Sequence, residues 1–358
     1  MEKFAVLGCG NGGKAVAAEL AHNGASVSIF EAIPNDGFRK LQKEKTITIK
    51  GSINYKTDID LVTDDLGEAL EGRNVVMVVV PSFAHESMFK SLIPLLVDGQ
   101  HVVVVPGNYS TFLFKKLMKD MNVSVDITIS ETASLPYACR ATDYHTVDIY
   151  KKKEVLKVGT YPSTKNEEMV TILNEVIDIF KGADNVLEVA LDNLNFIVHP
   201  IPTLFNIAGI ESNPSGWRHY IDGISPTISK ALGELDKERL SIGKAFGLNL
   251  TPIVDALKEY YGDNECDNVY DYVNSDQSPY KEIYGQDVFG RYVTEDLPYL
   301  VVPAKTLATI AGISTPWVDT IINVGSLVHH KDYFELGYNQ KKMGLNELSI
   351  EEIKEMIM

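Results

Sequence analysis

Val6-Leu7-Gly8-Cys9-Gly10-Asn11-Gly12-Gly13 ends an apolar run that starts at Lys3 and opens an amphipathic run that reaches His22. Gly8, Gly10 and Gly13 fit the spacing G-x-G-x-x-G. In that pattern the first glycine permits a tight turn, the second lets a pyrophosphate approach the backbone, and the third lets helix pack on strand. Free N–H groups at the helix start then face the phosphates. The next apolar run, Val27-Ser28-Ile29-Phe30, ends in Glu31, 23 residues beyond Gly8. A carboxylate at that strand end accepts both ribose hydroxyls of NAD and repels the 2′-phosphate of NADP. No Lys or Arg occurs in Ala32-Ile33-Pro34, and Arg39 lies further on, so the sequence favours NAD, with NADP possible. The expected cofactor contacts are Gly8, Gly10, Asn11, Gly12, Gly13 and Glu31.

Working outward, Lys3–Leu7, Ala25–Phe30, Asn74–Val80, His101–Val105 and Val125–Ile129 are short, rich in Val and Ile, and almost continuously apolar. Strands buried on both faces of a parallel sheet read this way. Helical patterns fall between them at Gly13–His22, Phe83–Leu96 and Thr111–Met121, whereas Thr46–Lys50 and Ile53–Lys56 alternate like a hairpin on the sheet edge. The fold class is therefore α/β, a doubly wound parallel sheet with ligands at the carboxyl ends of its strands. Two further strand ends belong to that edge: Val80-Pro81-Ser82-Phe83-Ala84-His85 and Val105-Pro106-Gly107-Asn108. Pro81 and His85 are expected to line the cofactor, and Asn108 to hydrogen-bond cofactor or substrate. The plainer reading of each is a loop.

The pattern turns helical from about Leu191. Gly223–Phe246 reads as one long amphipathic helix, and Thr251 as N-cap with Pro252 at the first helical position starts Ile253–Tyr261. Ala304–Ala311 follows, then Trp317–Leu327 after Ser314-Thr315-Pro316. Leu135–Thr160 and a helix over Glu167–Phe180 close the first half, giving an NAD-binding domain over 1–190 and a helical substrate domain over 191–358.

Length agrees: 358 residues at roughly 150 per domain suggest two domains. Apolar residues make up 45% and charged residues 23%, a globular balance. The formal charge of −16 repels a phosphate backbone and argues against nucleic acid as a partner. Cys9, Cys139 and Cys266 form neither a disulfide framework nor a Cys-x-x-Cys metal pair, as expected in a reducing cytoplasm. No apolar run approaches the roughly 18–20 residues that span a bilayer, and Met1-Glu2-Lys3 lacks a signal-peptide head. Neither a membrane nor a metal is expected.

A cofactor loop does not specify a reaction. Reduction of a carbonyl or imine also needs a proton donor and a substrate anchor. Of eight histidines, His145, His329 and His330 read as surface, and His22 as a cation at a helix end. His199 differs: in Asp192-Asn193-Leu194-Asn195-Phe196-Ile197-Val198-His199-Pro200 it stands four residues after Asn195, on one face of a helix that Pro200 and Pro202 interrupt. Read alone, it is a satisfied core histidine. Arg291 and Asp296 lie five apart in Arg291-Tyr292-Val293-Thr294-Glu295-Asp296, where Arg suits a carboxylate substrate and Asp can orient a histidine. The plainer reading there is an ion pair between Arg291 and Glu295.

Four stretches taken together resemble the octopine/nopaline (opine) dehydrogenase family. They are Gly8–Gly13, Glu131-Thr132-Ala133-Ser134-Leu135-Pro136-Tyr137-Ala138-Cys139-Arg140, Asn193-Leu194-Asn195 with His199-Pro200, and Arg291…Glu295-Asp296-Leu297-Pro298. Their order and spacing cover nearly the whole chain, and its length is similar to that of the bacterial carboxyethyl-norvaline dehydrogenase type. The resemblance implies a Rossmann domain followed by a helical domain of the 6-phosphogluconate dehydrogenase C-terminal-like kind, with substrates between them. The implied activity is the reversible, NADH-dependent reductive condensation of an amino acid with a 2-oxo acid. The implied site has His199 and Asp296 as acid/base pair and Arg291 on the oxo-acid carboxylate. Cys139 falls where the family places a residue near the substrate, although by itself it reads as a small buried apolar group, and Asn195, on the face of His199, is expected beside it. A homodimer is possible. Two alternatives compete. One is a reductase of the ketopantoate reductase or glycerol-3-phosphate dehydrogenase type, which uses a lysine as acid; Lys230 offers itself but reads better as a solvated partner of Glu234. The other is a catalytically silent NAD-sensing protein.

Overall fold

The computed structural model describes residues 2–262, 265–285 and 287–358. It divides into two compact units, Met1–Val189 with Ile357–Met358, and Ala190–Met356.

The first unit is built on an eight-stranded sheet. Its strands are β1 (Lys3–Leu7), β2 (Ser26–Phe30), β5 (Leu61–Thr63), β6 (Val75–Val78), β7 (His101–Val104), β8 (Thr128–Thr132), β11 (Leu156–Tyr161) and β12 (Phe180–Gly182), in the spatial order β12-β11-β8-β7-β6-β1-β2-β5. The run from β5 to β8 is parallel, and β11 pairs antiparallel with β8. Phe4, Ala5, Val6 and Leu7 are wholly buried, as are Val75–Val78, which is why these strands carry no polar alternation. From β1 the chain moves outward through β2 to β5, then returns to β6 on the other side of β1. The switch point is therefore between β1 and β6, where such sheets hold their ligands.

Three sequence expectations need correction here. The hairpin of β3 (Thr46–Gly51) and β4 (Tyr55–Asp58) does not extend the main sheet. It joins β10 (Thr146–Lys152) and β9 (Tyr137–Ala141) in a separate four-stranded sheet, ordered β4-β3-β10-β9. Ile47, Ile49, Val147 and Ile149 pack from it into the same core as Val16 and Leu20 of α1 (Asn11–His22). The buried Glu19 of α1 takes the Tyr137 hydroxyl and the Lys152 ammonium, tying helix to sheet. Next, β8 starts at Thr128 rather than Val125, which brings Glu131 and Thr132 into the strand. Last, the helix expected over Glu167–Phe180 stops at Asn174 (Asn166–Asn174), because the Asn174 side chain holds both the N–H and the C=O of Phe180 and starts β12.

The second unit is helical. Its longest helix, α2 (Pro226–Ala245), starts later than the expected Gly223, since Ser225 caps it by accepting from Ile228 N and Pro226 takes the first helical position. In Ile253–Tyr261 it is Pro252, not Thr251, that stands at the N-cap; the Ile253 N–H is met by Asp236 of α2 instead. Arg239, on the buried face of α2, is wholly buried. It donates to Asp236 at 2.7 Å, Asp192 at 3.0 Å, Leu191 O at 3.2 Å and Thr251 O at 2.6 Å. One guanidinium thereby pins the start of the unit to α2. No helix among the described residues is long and apolar enough to cross a membrane.

Candidate active site

At the switch point of the first unit the glycines meet their steric requirements. Gly8 has φ +112°, and a Cβ there would lie 2.4 Å from Val79 O. A Cβ on Gly13 would strike Gly8 O. Around Gly10, by contrast, a Cβ would meet no protein atom within 4 Å, so the space above it is open to a ligand. No side chain caps α1 and no acidic residue occupies its first turn, so its N-terminal N–H groups are available to an anion. Asn11 turns its side chain away, its Oδ1 accepting from Ala141 N at 3.0 Å, and Gly12 packs under Leu135.

Glu31 is fixed by two backbone donors, Cys9 N to Oε2 and Ile33 N to Oε1, both at 3.1 Å. Beside it lies a cleft of about 300 Å³ lined by Cys9, Lys14, Glu31, Asn35, Phe38 and Tyr144. Ile33, 83% exposed, offers an apolar face at the same edge, a feature with no sequence signal. Arg39 forks onto Asp64 at 2.8 and 2.7 Å, which engages the nearest arginine. This turn, carboxylate and cleft fit a dinucleotide.

The other two strand ends are more mixed. Pro81 is exposed and Phe83 is 68% exposed at the end of β6. His85, expected to line the cofactor, is wholly buried instead; its ring stacks on Phe89 at 5.3 Å, and burial pushes its pKa down to about 3. Asn108 is buried in a left-handed conformation (φ +53°) and donates to Ser82 Oγ at 2.8 Å. Under this loop sits Glu131, wholly buried, accepting from Tyr109 N at 3.0 Å and Thr111 N at 2.6 Å. Desolvation pushes its pKa up to about 7 against those hydrogen bonds. Cys139 lies partly buried on β9 against the apolar core, with its thiol raised to about 11 by burial.

In the second unit, His199 and Asp296 come together. They are 97 positions apart, and Nδ1 meets Oδ2 at 2.6 Å. His199 stands at the break between the helices Asn195–Val198 and Pro200–Leu204. Pro200 has no N–H to continue the first helix. Thr203 secures the His199 carbonyl with its N–H at 3.2 Å and its hydroxyl at 2.8 Å. The preceding Asp192-Asn193 prepares this segment: Asp192 is held by Arg239, and Asn193 Oδ1 accepts from Asn195 N at 3.1 Å. Asn195 is one turn before His199 and partly exposed.

Asp296 follows the short helix Arg291–Thr294 and precedes a π-helical turn, Leu297–Val301. Such turns are uncommon and recur at functional sites. Arg291 is 64% exposed and touches buried Glu295 at 3.2 Å, the ion pair the plainer reading foresaw. Even so, its charge acts on both members of the pair. Burial drives His199 well below its usual range, and Arg291 lowers it further. Burial lifts Asp296 to about 7, with Arg291 opposing. Burial therefore favours the neutral imidazole, with Nδ1 facing Asp296.

Aromatic groups surround this pair, His219 and Tyr220 from the stretch Trp217–Asp222 that the sequence offered as a pocket wall, and Tyr292, which it did not single out. Tyr292 stacks on the His199 ring at 3.6 Å and 14°, and the Tyr220 hydroxyl meets Nε2 at 2.9 Å. His219 supports the cluster edge-on and donates from Nε2 to Val198 O at 3.0 Å. Other histidine expectations need correction. His329 is buried, not superficial, bonded to Tyr333 at 2.6 Å and stacked on Phe289. Lys230 is exposed, and Glu234 pairs with Lys237 at 2.7 Å rather than with it.

Known protein families match stretches of both halves of the chain. Residues 3–125 match the family described as NAD-dependent glycerol-3-phosphate dehydrogenase N-terminus, and residues 182–329 match NAD/NADP octopine/nopaline dehydrogenase, alpha-helical domain. Over 357 residues the chain is 30% identical to an opine dehydrogenase of Arthrobacter sp. (strain 1C), covering 99% of this chain and 98% of that relative. The chain belongs to the opine dehydrogenase family. It is an NAD(P)-dependent oxidoreductase acting on a CH–NH group. The fold is shared with octopine dehydrogenase solved with NADH and L-arginine (TM-score 0.83, 22% identity, 99% and 98% of the two chains covered). It is also shared with NADP+-bound yersinopine dehydrogenase (TM-score 0.76, 12% identity, 99% of each chain covered). The cofactor of this opine dehydrogenase is NAD, and a structural neighbour is solved with NADP+ bound. Among the described residues no group of three or more His, Cys, Asp or Glu side chains is placed to hold a metal.

Proposed function

We propose that this opine dehydrogenase joins the amino group of an amino acid to a 2-oxo acid, with His199–Asp296 as acid/base pair and Arg291 as carboxylate anchor. The observation that carries the proposal is the buried 2.6 Å contact between His199 Nδ1 and Asp296 Oδ2, made by residues 97 positions apart in the second unit. A structural histidine needs no carboxylate at this distance. A proton-transfer histidine does, because the acid fixes the tautomer and stabilises the imidazolium when it forms.

Gly8, Gly10, Gly12, Gly13 and the start of α1 hold the pyrophosphate, and Glu31 holds the adenosine ribose. Pro81 lines the same edge. Glu31 together with the engaged Arg39 favours NADH over NADPH. When bound, the reduced nicotinamide supplies the hydride. Arg291 then forks onto the oxo-acid carboxylate, and that negative charge offsets the smaller of the two influences that depress His199, the larger being burial. Substrate binding thereby raises the proton affinity of the acid at the moment it is needed. The pair takes a proton from the attacking amine and returns it to the carbinolamine hydroxyl, which leaves as water. One amine, one ketone, one NADH and one proton yield the secondary amine, NAD+ and water. Asn195, one turn from His199, contacts the substrate. A cytoplasmic location and a homodimer belong to the same proposal.

The test follows NADH oxidation with pyruvate alone, with each amino acid alone, and with each pair. Oxidation only with a pair is expected. Equal oxidation by pyruvate alone points to a simple 2-oxo acid reductase, and none by any combination despite NADH binding points to a sensor.

A further inference from the structure

The cleft beside Glu31 has a wall that the strand–helix pattern of the nucleotide half does not supply. Asp143 and Tyr144 line it, and both belong to the turn between β9 and β10 of the second sheet. This turn is docked on the helix Asp36–Glu44, which follows Glu31. The Tyr144 hydroxyl donates to both Glu44 carboxylate oxygens at 2.9 Å. A Cβ on Gly37 would come within 3.0 Å of Tyr144 Cβ, so a glycine lets turn and helix meet. Asp143 is fixed in its turn. Its Oδ1 accepts from His145 N at 2.8 Å and Thr146 N at 2.6 Å, while Oδ2 has no hydrogen bond among the described residues. Against partial desolvation, these N–H groups hold its carboxyl below the usual carboxylate range, so it is ionised at neutral pH.

Three charged side chains line the cleft: Glu31, Lys14 and Asp143. Glu31 and Lys14 alone would leave it neutral, and Asp143 makes its net charge negative. Glu31 is also partly offset by the N–H groups of Cys9 and Ile33, and in the proposed function it accepts from the ribose hydroxyls. We propose that Asp143 is a second determinant of coenzyme choice, its carboxylate repelling the 2′-phosphate of NADPH and leaving the uncharged ribose of NADH unopposed. The proposal rests on the reading of this cleft as the adenosine end of the NAD site. A phosphate monoester carries a charge of about −1.5 to −2 at pH 7, whereas the adenosine ribose of NADH carries none. The pyrophosphate is common to both coenzymes and cancels from the comparison. A cleft of about 300 Å³ keeps every group lodged in it within the ~10 Å over which 0.1 M salt leaves charges largely unscreened. The four-stranded sheet thereby gains a function, since it carries an acid to the cofactor cleft from far along the chain. The glycine turn and the acid at the end of β2 contain no sign of it.

Asp143→Asn in the full-length enzyme removes the charge and keeps a side-chain oxygen as acceptor for both N–H groups. The Kd values for NADH and NADPH are read from the fluorescence of the reduced nicotinamide. His145 Nδ1 lies 3.1 Å from Asp143 Oδ1, so the titrations are run at pH 8, above the ordinary histidine range. The ratio of the NADPH Kd to the NADH Kd is expected to fall about threefold to tenfold at low salt, as suits one exposed charge facing a dianion. The fall should shrink in 1 M salt, where the Debye length is about 3 Å. Binding of NADH itself reports that the variant is folded. A ratio that does not move at low salt overturns the proposal, as does one that falls equally at both salt concentrations. Glu31→Gln separates this outcome from the underlying reading. If Glu31→Gln lowers the ratio and Asp143→Asn does not, the cleft still holds the adenosine and only the role of Asp143 is lost. If neither substitution moves it, the placing of the adenosine in this cleft falls as well.

Discussion

Arg239→Met replaces a buried cation with an apolar side chain of similar reach, so its cost is electrostatic rather than a cavity. The guanidinium is wholly buried and joins Asp236, Asp192, Leu191 O and Thr251 O. Asp236 keeps one donor, Ile253 N at 2.9 Å, whereas Asp192 loses its cation. Breaking a buried ion pair costs about 3–5 kcal/mol, and each carbonyl that loses its donor adds about 1 kcal/mol. The expected loss is on the order of 5 kcal/mol against a stability of roughly 5–15 kcal/mol. The chain's two tryptophans, Trp217 and Trp317, both lie in the second unit, so their fluorescence follows its unfolding in urea. At about 1–3 kcal/mol per molar the midpoint should fall by on the order of 2 M. The same variant should lose turnover, because Asp192 starts the segment that seats His199. NADH binding, which belongs to the first unit, should persist. A midpoint shift below roughly 0.5 M would refute the reasoning.

Other outcomes follow from the same contacts. Glu31→Ala removes the carboxylate that Cys9 N and Ile33 N hold, and the NADH-to-NADPH ratio of kcat/KM should fall by about tenfold or more, measured with both coenzymes. Arg291→Ala should raise the KM for the oxo acid at least tenfold, about 1.4 kcal/mol, with little change in the Kd for NADH; an unchanged KM removes the anchor. Glu131 has a folded pKa raised from 4.5 to about 7, so the stability it contributes is full below pH 4.5 and is lost as pH rises through 7. At about 1.4 kcal/mol per unit this amounts to at most roughly 3 kcal/mol between pH 4.5 and 8. Glu131→Gln should flatten that decline in denaturation curves compared at pH 5 and pH 8.

How far the sequence could be read depended on whether a signal was local. The glycine turn, Glu31 and the buried strands around it are local patterns, and the structure places them at a switch point as read. The second sheet was hidden because β10, which carries β9, pairs with β3 across roughly a hundred residues, and alternation does not name its partner. His199 and Asp296 were tied only through a family resemblance, since no spacing rule links positions 97 apart. The relation of Arg291 to Asp296 escaped helical counting because the helix that Arg291 opens ends at Thr294, before Asp296 is reached. Tyr220 and Tyr292 carried no motif at all. An aromatic residue near a histidine becomes informative only when its hydroxyl is seen at a ring nitrogen. Arg239 lies inside an amphipathic helix pattern that does not set it apart, and only its neighbours reveal it as a buried clamp. His85 and His329 misled for the complementary reason, since each imidazole found apolar or aromatic cover that a polar stretch of sequence does not show.

The central claim is that His199 moves the proton. The most direct measurement is the single-turnover rate of NADH consumption by His199→Ala, with oxo acid and amine saturating and NADH binding followed separately. A fall of about 10²–10⁴-fold, roughly 3–5 kcal/mol, with an unchanged Kd for NADH is the predicted result. Turnover at the parent rate in a folded variant that binds NADH normally would contradict it.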